Sequence, residues 1–322
     1  MVGETSDSGL TVRPYAGEDD AAWDALVGAS RSRHFMFRRD YMDYHRDRFE
    51  DASLVVADGD ALVAALPANR EGNVAVSHGG LTFGGLLSGS ELTTRRTVAV
   101  IGDLLERLRA DGVRTLVYKA VPHIYNLVPA EEDLYALFVH GAALSRRDCS
   151  SALRHDGRPG YSKGRRSALR SAEKAGLQVA RDSAFAEFMQ LEDETLKRRH
   201  GVGAVHNPEE MSLLAERFPE NIKLFTARKD GELVGGAIVY ETDAVAHTQY
   251  IAGTEKGYEE HALDAVIDHL IESEYREKPW FDFGISTTEE GRELNAGLVR
   301  NKESYGARAV VYDTYRLDLD GG

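Results

Sequence analysis

The chain has 322 residues, of which 42% are hydrophobic and 29% are charged, and this composition is typical of a globular protein of one large or two smaller domains. A formal net charge of −14 argues against a protein that grips a nucleic-acid backbone over a wide surface. Cys149 is the only cysteine, no apolar run reaches the roughly 20 residues of a membrane span, and no secretory signal is evident, so we expect a cytoplasmic protein without a disulfide.

The first half of the chain predicts strands and helices in mixed order. Strands are expected over residues 10–15, 54–57, 61–67, 73–77, 115–120 and 145–153, and helices over residues 19–30, 34–49 (one helix or two short ones), 93–111 and 131–141. An Asp-Gly-Asp turn at residues 58–60 separates two of the strands, which is a strong hairpin signal.

The second half repeats this order of elements. Strands are expected over residues 177–180, 223–228, 233–241, 247–252, 280–284 and 309–317, and helices over residues 163–175, 184–199, 259–274 and 291–305. Each half places a hairpin before strands that are joined by helices, which predicts a mixed, partly parallel sheet. We therefore expect an α/β fold of two similar domains, residues 1–157 and residues 158–322, the second including the basic helix at 163–175.

Polar residues follow or end two neighbouring strands of the second half. His247, Gln249 and Tyr250 lie in one strand, and Asp282 and Ser286 lie in or just after the next. Open α/β sheets bind ligands at the carboxyl ends of their strands, so this edge is the predicted site. Strand alternation places residues 247 and 249 on one face and residue 250 on the other.

Each of these residues has a chemical and a structural interpretation. His247 is a candidate general base on an acceptor amine, or a buried histidine with a satisfied hydrogen bond. Gln249 suits substrate orientation, and Tyr250 suits either substrate contact or core packing. Asp282 lies between two phenylalanines, so it either faces the site or pairs with a buried cation such as Lys302.

Three polar residues near the end of the chain have similar alternatives. Ser286 and Asn295 are candidates for substrate binding, and the run from Ser286 to Thr288 is equally suited to capping the following helix. Lys302 precedes Gly306 by four residues. It is either an electrostatic catalyst or a solvated lysine that complements the helix dipole.

The first half offers weaker candidates. The stretch from His78 to Gly85 contains four glycines without a phosphate-loop signature, which favours tight turns and close packing. His123 and Tyr125 follow a strand and are candidates for substrate binding. No spacing of histidine, cysteine or acidic residues predicts a metal site.

The order hairpin, strand, loop, helix, strand, helix, strand resembles the GNAT acyltransferase fold. In that family the loop after the fourth strand binds the pyrophosphate of acyl-CoA through backbone N–H groups. The resemblance assigns this role to Gly253, Thr254, Lys256 and Gly257. The usual Q/R-x-x-G-x-G/A pattern is not met here, and acidic residues at positions 255, 259 and 260 would repel a pyrophosphate.

The second half also resembles the FemAB-like transferases. The resemblance rests on the basic segment SKGRRSALRSAEKAGLQV, on FDFGIS at residues 281–286, on Leu294-Asn295 and on KESYG at residues 302–306. It covers about residues 160–317, and the first half resembles the group only in its order of elements. Members acylate an amine from either acyl-CoA or aminoacyl-tRNA. Ordinary GNAT enzymes carry a tyrosine near the position of Lys302 that protonates the departing thiolate, so the resemblance implies a role for Lys302 in catalysis.

Three functions are therefore open. The favoured one is N-acylation by acyl-CoA of a small amine such as an amino sugar or its nucleotide derivative. The second is aminoacyl transfer from tRNA, supported by the altered loop and the basic helix and disfavoured by the net charge. The third is a ligand-binding module without catalytic activity. No membrane-spanning segment is expected in the chain.

Overall fold

The computed structural model describes residues 9–201 and 203–320, without the side chains of residues 199 and 200. The chain divides into two compact units. Among the described residues, the first contains residues 9–148, 289–292 and 311–320, and the second contains residues 149–201, 203–288 and 293–310. The closing segment is grouped with the first unit because residues 314–318 pair with residues 115–119. The predicted boundary at residue 157 does not include this pairing of the C-terminal strand with the first unit. As a domain limit, residue 157 stays a prediction.

The first unit has two sheets and four helices in the part of it that the structure describes. Its strands are β1 (Thr11–Pro14), β2 (Glu50–Asp51), β3 (Leu54–Asp58), β4 (Ala61–Leu66), β5 (Asn69–Glu71), β6 (Val74–Val76), β7 (Leu87–Ser88) and β8 (Thr115–Lys119). Its helices are α1 (Asp20–Ala29), α2 (Arg39–Met42), α3 (Thr94–Ala110) and α4 (Glu132–Val139). Short 3-10 turns flank α2, so the predicted helix at residues 34–49 is broken into single turns.

Strand pairing in the first unit follows the predicted hairpin. The sheet β1-β3-β4-β7 is antiparallel throughout, and β3 pairs with β4 across the Asp-Gly-Asp turn. In the other sheet β6 and β8 run parallel. Helix α3 connects that parallel pair and buries one apolar stripe, Val100, Ile101, Leu104, Leu105 and Leu108, against the sheet core.

The second unit contains a mixed sheet with helices packed on it and a separate two-stranded hairpin formed by residues 287–288 and 293–294. Its strands are β10 (Gln178–Asp182), β11 (Ile222–Lys229), β12 (Glu232–Glu241), β13 (Val245–Gly253), β14 (Trp280–Ile285), β15 (Thr287–Thr288) and β16 (Glu293–Leu294). Its helices are α5 (Lys163–Lys174), α6 (Phe185–His200), α7 (Pro208–Arg217), α8 (Glu255–Glu259), α9 (Ala262–His269) and α10 (Ala296–Glu303). Strand β9 (Ala143–Arg154) contributes residues 150–154 here, and β17 (Arg308–Asp318) begins here.

The strand order in the second unit is β10-β11-β12-β13-β14-β9. All neighbours are antiparallel except β13 and β14, which are parallel and are connected through α8 and α9. The mixed α/β fold that the sequence predicts is thereby confirmed.

Two predicted helices were wrong in their extent. The helix expected over residues 259–274 is three segments: α8, α9 and a single π-turn at Leu270–Glu274, with His261 in the left-handed region between α8 and α9. The helix expected from Gly291 begins only at Ala296, because residues 287–294 form the small hairpin β15–β16. Helix α7, begun by Asn207 and Pro208, was not predicted at all.

Candidate active site

The two parallel strands of the second unit separate at the predicted site. Strands β13 and β14 pair only from Val245 with Trp280 to His247 with Asp282, and β13 then continues to Gly253 without this partner. A gap between adjacent strands exposes backbone groups and side chains that a continuous sheet would cover. His247 and Asp282 are the last pair before the gap.

A β-bulge changes which residues of β13 share a face. Tyr250 lies opposite Ile238, but Thr248 lies opposite Val239 and His247 opposite Tyr240, so Gln249 is the extra residue. Because Ile238 and Tyr240 share a face of β12, Tyr250 and His247 share that face too. The prediction that residues 247 and 249 share one face and residue 250 the other was therefore wrong, since alternation from sequence assumes a regular strand.

His247 and Asp282 form a hydrogen-bonded pair. His247 Nδ1 donates to Asp282 Oδ2 at 2.8 Å, and Asp282 is completely buried. The other carboxylate oxygen accepts from the Ser150 hydroxyl at 2.6 Å and from the Gly284 amide at 3.2 Å. The carboxylate thus fixes the ring and leaves Nε2 as the nitrogen that can accept a proton.

Lys302 is buried at the end of β14. Its Nζ donates to Gly284 O at 2.7 Å, to Ile285 O at 3.0 Å and to Ser286 Oγ at 2.8 Å. An ammonium has three N–H donors, so this set uses all of them. Burial lowers the pKa of Lys302 to about 8, opposed by the nearby negative charge of Asp282. Of the two alternatives for Lys302, the solvated helix lysine is excluded, because the side chain is only 5% exposed.

The backbone at Gly284 makes this arrangement possible. Gly284 has a φ of +77°, in the region that favours glycine, and its carbonyl is one of those turned toward Lys302. A Cβ added there would lie 3.3 Å from His247 Cε1. The glycine of the FDFG segment therefore lies between the lysine and the histidine.

Ser286 and Asn295 lie at the end of β14 and at the start of α10. Ser286 is buried and accepts from Lys302 rather than capping a helix, and its role in binding substrate stays a prediction. Asn295 caps α10 instead: its side-chain oxygen accepts from the Leu298 amide at 3.0 Å. Its amide donates to Ser286 O at 2.9 Å, which ties the start of α10 to the end of β14. Its role in binding substrate stays a prediction.

Tyr250 is connected to a residue that the sequence did not single out for this site. The Tyr250 hydroxyl and His206 Nδ1 are 2.6 Å apart, and both side chains are buried. His206 lies in the loop between α6 and α7, so this contact joins the loop to β13. Gln249 is half-buried beside it in the bulge. No pattern in the sequence pairs residues 206 and 250, because the contact depends on the sheet register.

The turn assigned to the acyl-CoA pyrophosphate uses several of its own amides. Thr254 caps α8: its Oγ1 accepts from the Gly257 amide at 3.0 Å, and its carbonyl accepts from Tyr258. The Thr254 amide donates to Val234 O, and a Cβ on Gly257 would lie 1.9 Å from the same oxygen. Gly257 is therefore required for packing on β12. Gly253 is buried at the end of β13 and Lys256 is exposed, and the assignment of all four residues to a cofactor stays a prediction.

Helix α5 presents two different faces. On its inner face Arg165 pairs with Asp264 of α9, donates to Ser304 Oγ at 2.8 Å and stacks on the Tyr305 ring at 3.8 Å. On its outer face the exposed cations recur at helical spacing: Lys163, Arg166, Arg170 and Lys174. We call these four residues the basic stripe. An open groove of about 560 Å³ borders the helix and is lined in part by Arg165, His261 and Arg300.

The candidates of the first half lie in the other unit. His123 is exposed in a short 3-10 turn, and Tyr125 is 1% exposed, with its hydroxyl 3.0 Å from that of Tyr312. Tyr125 therefore contributes to core packing in this structure. The glycine stretch also packs: the Gly84 amide donates to Lys119 O at 2.8 Å, and a Cβ there would lie 1.8 Å from Ser77 O. The roles of His123 and Tyr125 in substrate binding stay predictions.

The described residues contain neither a metal-ligating cluster nor a membrane-spanning helix. Within residues 9–201 and 203–320, no group of three or more histidine, cysteine or acidic side chains could hold a metal ion. Over the same part of the chain, every helix is too short or too polar to cross a bilayer.

Comparison with known proteins agrees with this geometry. Residues 161–291 match the family model described as an acetyltransferase (GNAT) domain. The fold is similar to the crystal structure of FemX, with a TM-score of 0.66, 12% identity and coverage of 94% of this chain and 96% of that one. No curated protein sequence matches the chain.

Two further structures extend the likeness. The C-terminal domain of a putative lysylphosphatidylglycerol synthetase from Agrobacterium fabrum has a TM-score of 0.61 at 13% identity, covering 94% of this chain and 92% of that one. A tandem GNAT protein from the clavulanic acid biosynthesis pathway has a TM-score of 0.50 at 14% identity, covering 97% and 99%.

Residues 161–291 therefore match a GNAT acetyltransferase domain, and the fold of the chain is similar to those of FemX and of a tandem GNAT protein. The likeness to FemX and to the synthetase domain is a likeness of fold.

Proposed function

We propose that the chain transfers an aminoacyl group from aminoacyl-tRNA to an amine, with the second unit as the catalytic unit. The observation that carries acyl transfer is the pair of groups at the gap between β13 and β14. His247, oriented by Asp282, lies on one strand, and the buried cation Lys302 lies against the end of the other. A base for the amine and a positive charge for the oxyanion are two groups that accelerate amide formation.

In the proposed reaction the acceptor amine attacks the ester carbonyl of the aminoacyl group. His247 Nε2 accepts the proton that the amine loses, and the C–O bond to the ribose breaks when the tetrahedral intermediate collapses. The leaving ribose oxygen takes a proton, which His247 can return. The intermediate carries a negative oxygen, which Lys302 stabilises electrostatically in a buried site.

The positive charge of Lys302 acts on the oxyanion through the Ser286 hydroxyl. All three lysine protons are used, but the Ser286 oxygen accepts one of them and so keeps its own hydroxyl proton to donate. A hydroxyl polarised by an ammonium is a stronger donor than an isolated one. The serine hydroxyl is therefore the proposed direct contact to the oxyanion, and the lysine is the source of its polarity.

Two features favour aminoacyl-tRNA over acyl-CoA as the donor, which reverses the order expected from the sequence. The basic stripe of α5 offers four exposed cations at helical spacing, suited to the phosphates of a tRNA backbone even on a chain of net charge −14. In the turn at residues 254–257, backbone amides are already bonded within the helix cap, so fewer are left to bind a pyrophosphate. Glu255 and Glu259 are exposed beside this turn. The likeness to FemX and to a protein named as a lysylphosphatidylglycerol synthetase supports the same choice.

Acyl-CoA remains the second candidate because the matched family model is an acetyltransferase domain. Thermal unfolding separates the two donors, since a ligand that binds only the folded protein raises the melting temperature. We expect stabilisation by tRNA and none by CoA or acetyl-CoA. Stabilisation by the CoA species alone would contradict aminoacyl-tRNA as the donor and would favour acyl-CoA.

The basic stripe is tested by a single charge reversal with a matched control. Arg170→Glu should raise the KM for aminoacyl-tRNA and lower the slope of log KM against log salt by about one, as expected for the loss of one phosphate contact. Arg276→Glu makes the same change of net charge at an exposed position of the same unit and should leave both quantities unchanged. Equal effects of the two variants would show that only net charge matters.

A further inference from the structure

The inner face of α6 carries two buried polar side chains among apolar ones. Phe188, Glu192 and Thr195 are spaced four and three residues apart and so form one stripe along the helix. Phe188 is completely buried and packs on Gly236 of β12. A Cβ added to Gly236 would lie 3.1 Å from the Phe188 ring. The stripe therefore faces the sheet, and Glu192 and Thr195 continue it along the helix.

This stripe faces the same side of the sheet as the catalytic pair. Gly236 shares a face of β12 with Ile238 and Tyr240, and these lie opposite Tyr250 and His247. His247 in turn bonds Asp282. Helix α6 packs against β13 directly. The loop that follows α6 is tied to β13 by the contact between His206 and Tyr250.

Neither polar group of the stripe is satisfied within the described residues. Glu192 and Thr195 are each 5% exposed, and Glu192 Oε2 and Thr195 Oγ1 have no hydrogen-bond partner in that part of the chain. Burial raises the pKa of Glu192 to about 7, and no charged group of the described residues contributes to this rise. A buried carboxylate without a counter-charge is unfavourable, so its charged form requires a cation from elsewhere.

We propose that Glu192 and Thr195 form a subsite for the α-ammonium group of the aminoacyl donor. The proposal rests on the proposed function, because it is an aminoacyl donor that brings a cation to this face of the sheet. An ammonium offers three donors, which matches a carboxylate oxygen and a hydroxyl that both lack a partner. The subsite would select aminoacyl groups with a free amine and reject N-acylated ones.

The test compares an aminoacyl-tRNA with its N-acetylated form, which has the same tRNA and ester but no positive charge. We expect the wild-type protein to prefer the free amine by roughly tenfold or more in kcat/KM, the range of a hydrogen bond to a charged group. Glu192→Gln keeps the shape and removes the charge, so the preference should fall toward one while the rate with the N-acetylated donor is kept. Glu194→Gln, on the exposed face of the same helix, should keep the full preference.

An unchanged preference in Glu192→Gln would overturn the subsite while leaving the proposed function intact. If Glu192→Gln does not fold, Thr195→Val must lower the preference by itself, and failure to do so overturns the subsite equally. A wild-type protein that uses both donors at the same rate also overturns it. A wild-type protein that uses neither donor overturns the proposed function and, with it, the subsite.

Discussion

The burial of Lys302 should be measurable as a pH dependence of stability. Its pKa is lowered from 10.5 to about 8 by burial, so the folded protein binds this proton less tightly than the unfolded chain. Between these two values the unfolded chain holds the proton and the folded protein does not, so stability must rise with pH across that window. The full difference between the pKa values of Lys302 in the unfolded and folded states is equivalent to about 3 kcal/mol of unfolding free energy. About 2 kcal/mol of this stability should be gained between about pH 7 and about pH 9.5.

The assay is urea unfolding at a series of pH values, for the wild-type protein and for Lys302→Met. Other groups titrate in the same range, and subtraction of the two curves removes their contribution. We expect the difference between wild type and variant to change by about 2 kcal/mol in favour of wild type as the pH rises over this window. A difference that is constant with pH would show that the lysine has its ordinary pKa, and the argument for a buried cation would fail.

Four further changes test the structure around the site. Lys302→Ala should lower kcat roughly a hundredfold or more with folding kept, while Glu303→Ala, exposed on the same helix, should not. Asp282→Asn should lower kcat by roughly a hundredfold in steady-state assays, since His247 loses the carboxylate that orients it; full activity would remove the pair from the mechanism. Gly257→Ala should destabilise by about 1–3 kcal/mol in urea because of the Val234 oxygen, while Gly164→Ala in α5 should be neutral or stabilising. Arg165→Met should lower the unfolding free energy by about 1–3 kcal/mol because Asp264 loses its arginine and keeps only His261 and Tyr305 as partners, and an unchanged midpoint would contradict this.

The order of elements could be predicted because local patterns determine it. The hairpins carry their own turn signals, and helices such as α3 and α5 have amphipathic stripes and recognisable ends. The start of α10 could not be predicted, since residues 287–294 pair as a hairpin only in the presence of the surrounding strands. Helix α7 has a capping box at Asn207 and Glu210, a pattern in the sequence from which the start of this helix can be predicted.

Side-chain partnerships across the sheet were predictable only in part. The sequence placed His247, Asp282 and Lys302 at one edge, because residues at the ends of neighbouring strands come together. It could not assign Lys302 to the carbonyls of Gly284 and Ile285 rather than to Asp282, since this depends on the positive φ of Gly284. The faces of Gln249 and Tyr250 depend on a bulge for which the strand carries no marker.

The burial of the polar residues of α6 could not be predicted from the sequence. Glu192 and Thr195 follow an ordinary helical sequence, and an acidic residue in a helix is most often solvated. Only the position of Phe188 on Gly236 shows that their stripe faces the sheet. Ser150 was likewise missed, because its contact with Asp282 joins residues 132 positions apart in the chain.

The most direct test of the central claim is a transfer assay with labelled donors. Purified protein is incubated with a panel of primary amines and either aminoacyl-tRNA or acetyl-CoA, each labelled in the acyl group, and the labelled amide is measured. We predict amide formation from aminoacyl-tRNA that depends on Lys302 and no product from acetyl-CoA. Product from acetyl-CoA alone, or product from tRNA that Lys302→Ala forms equally fast, would contradict the account.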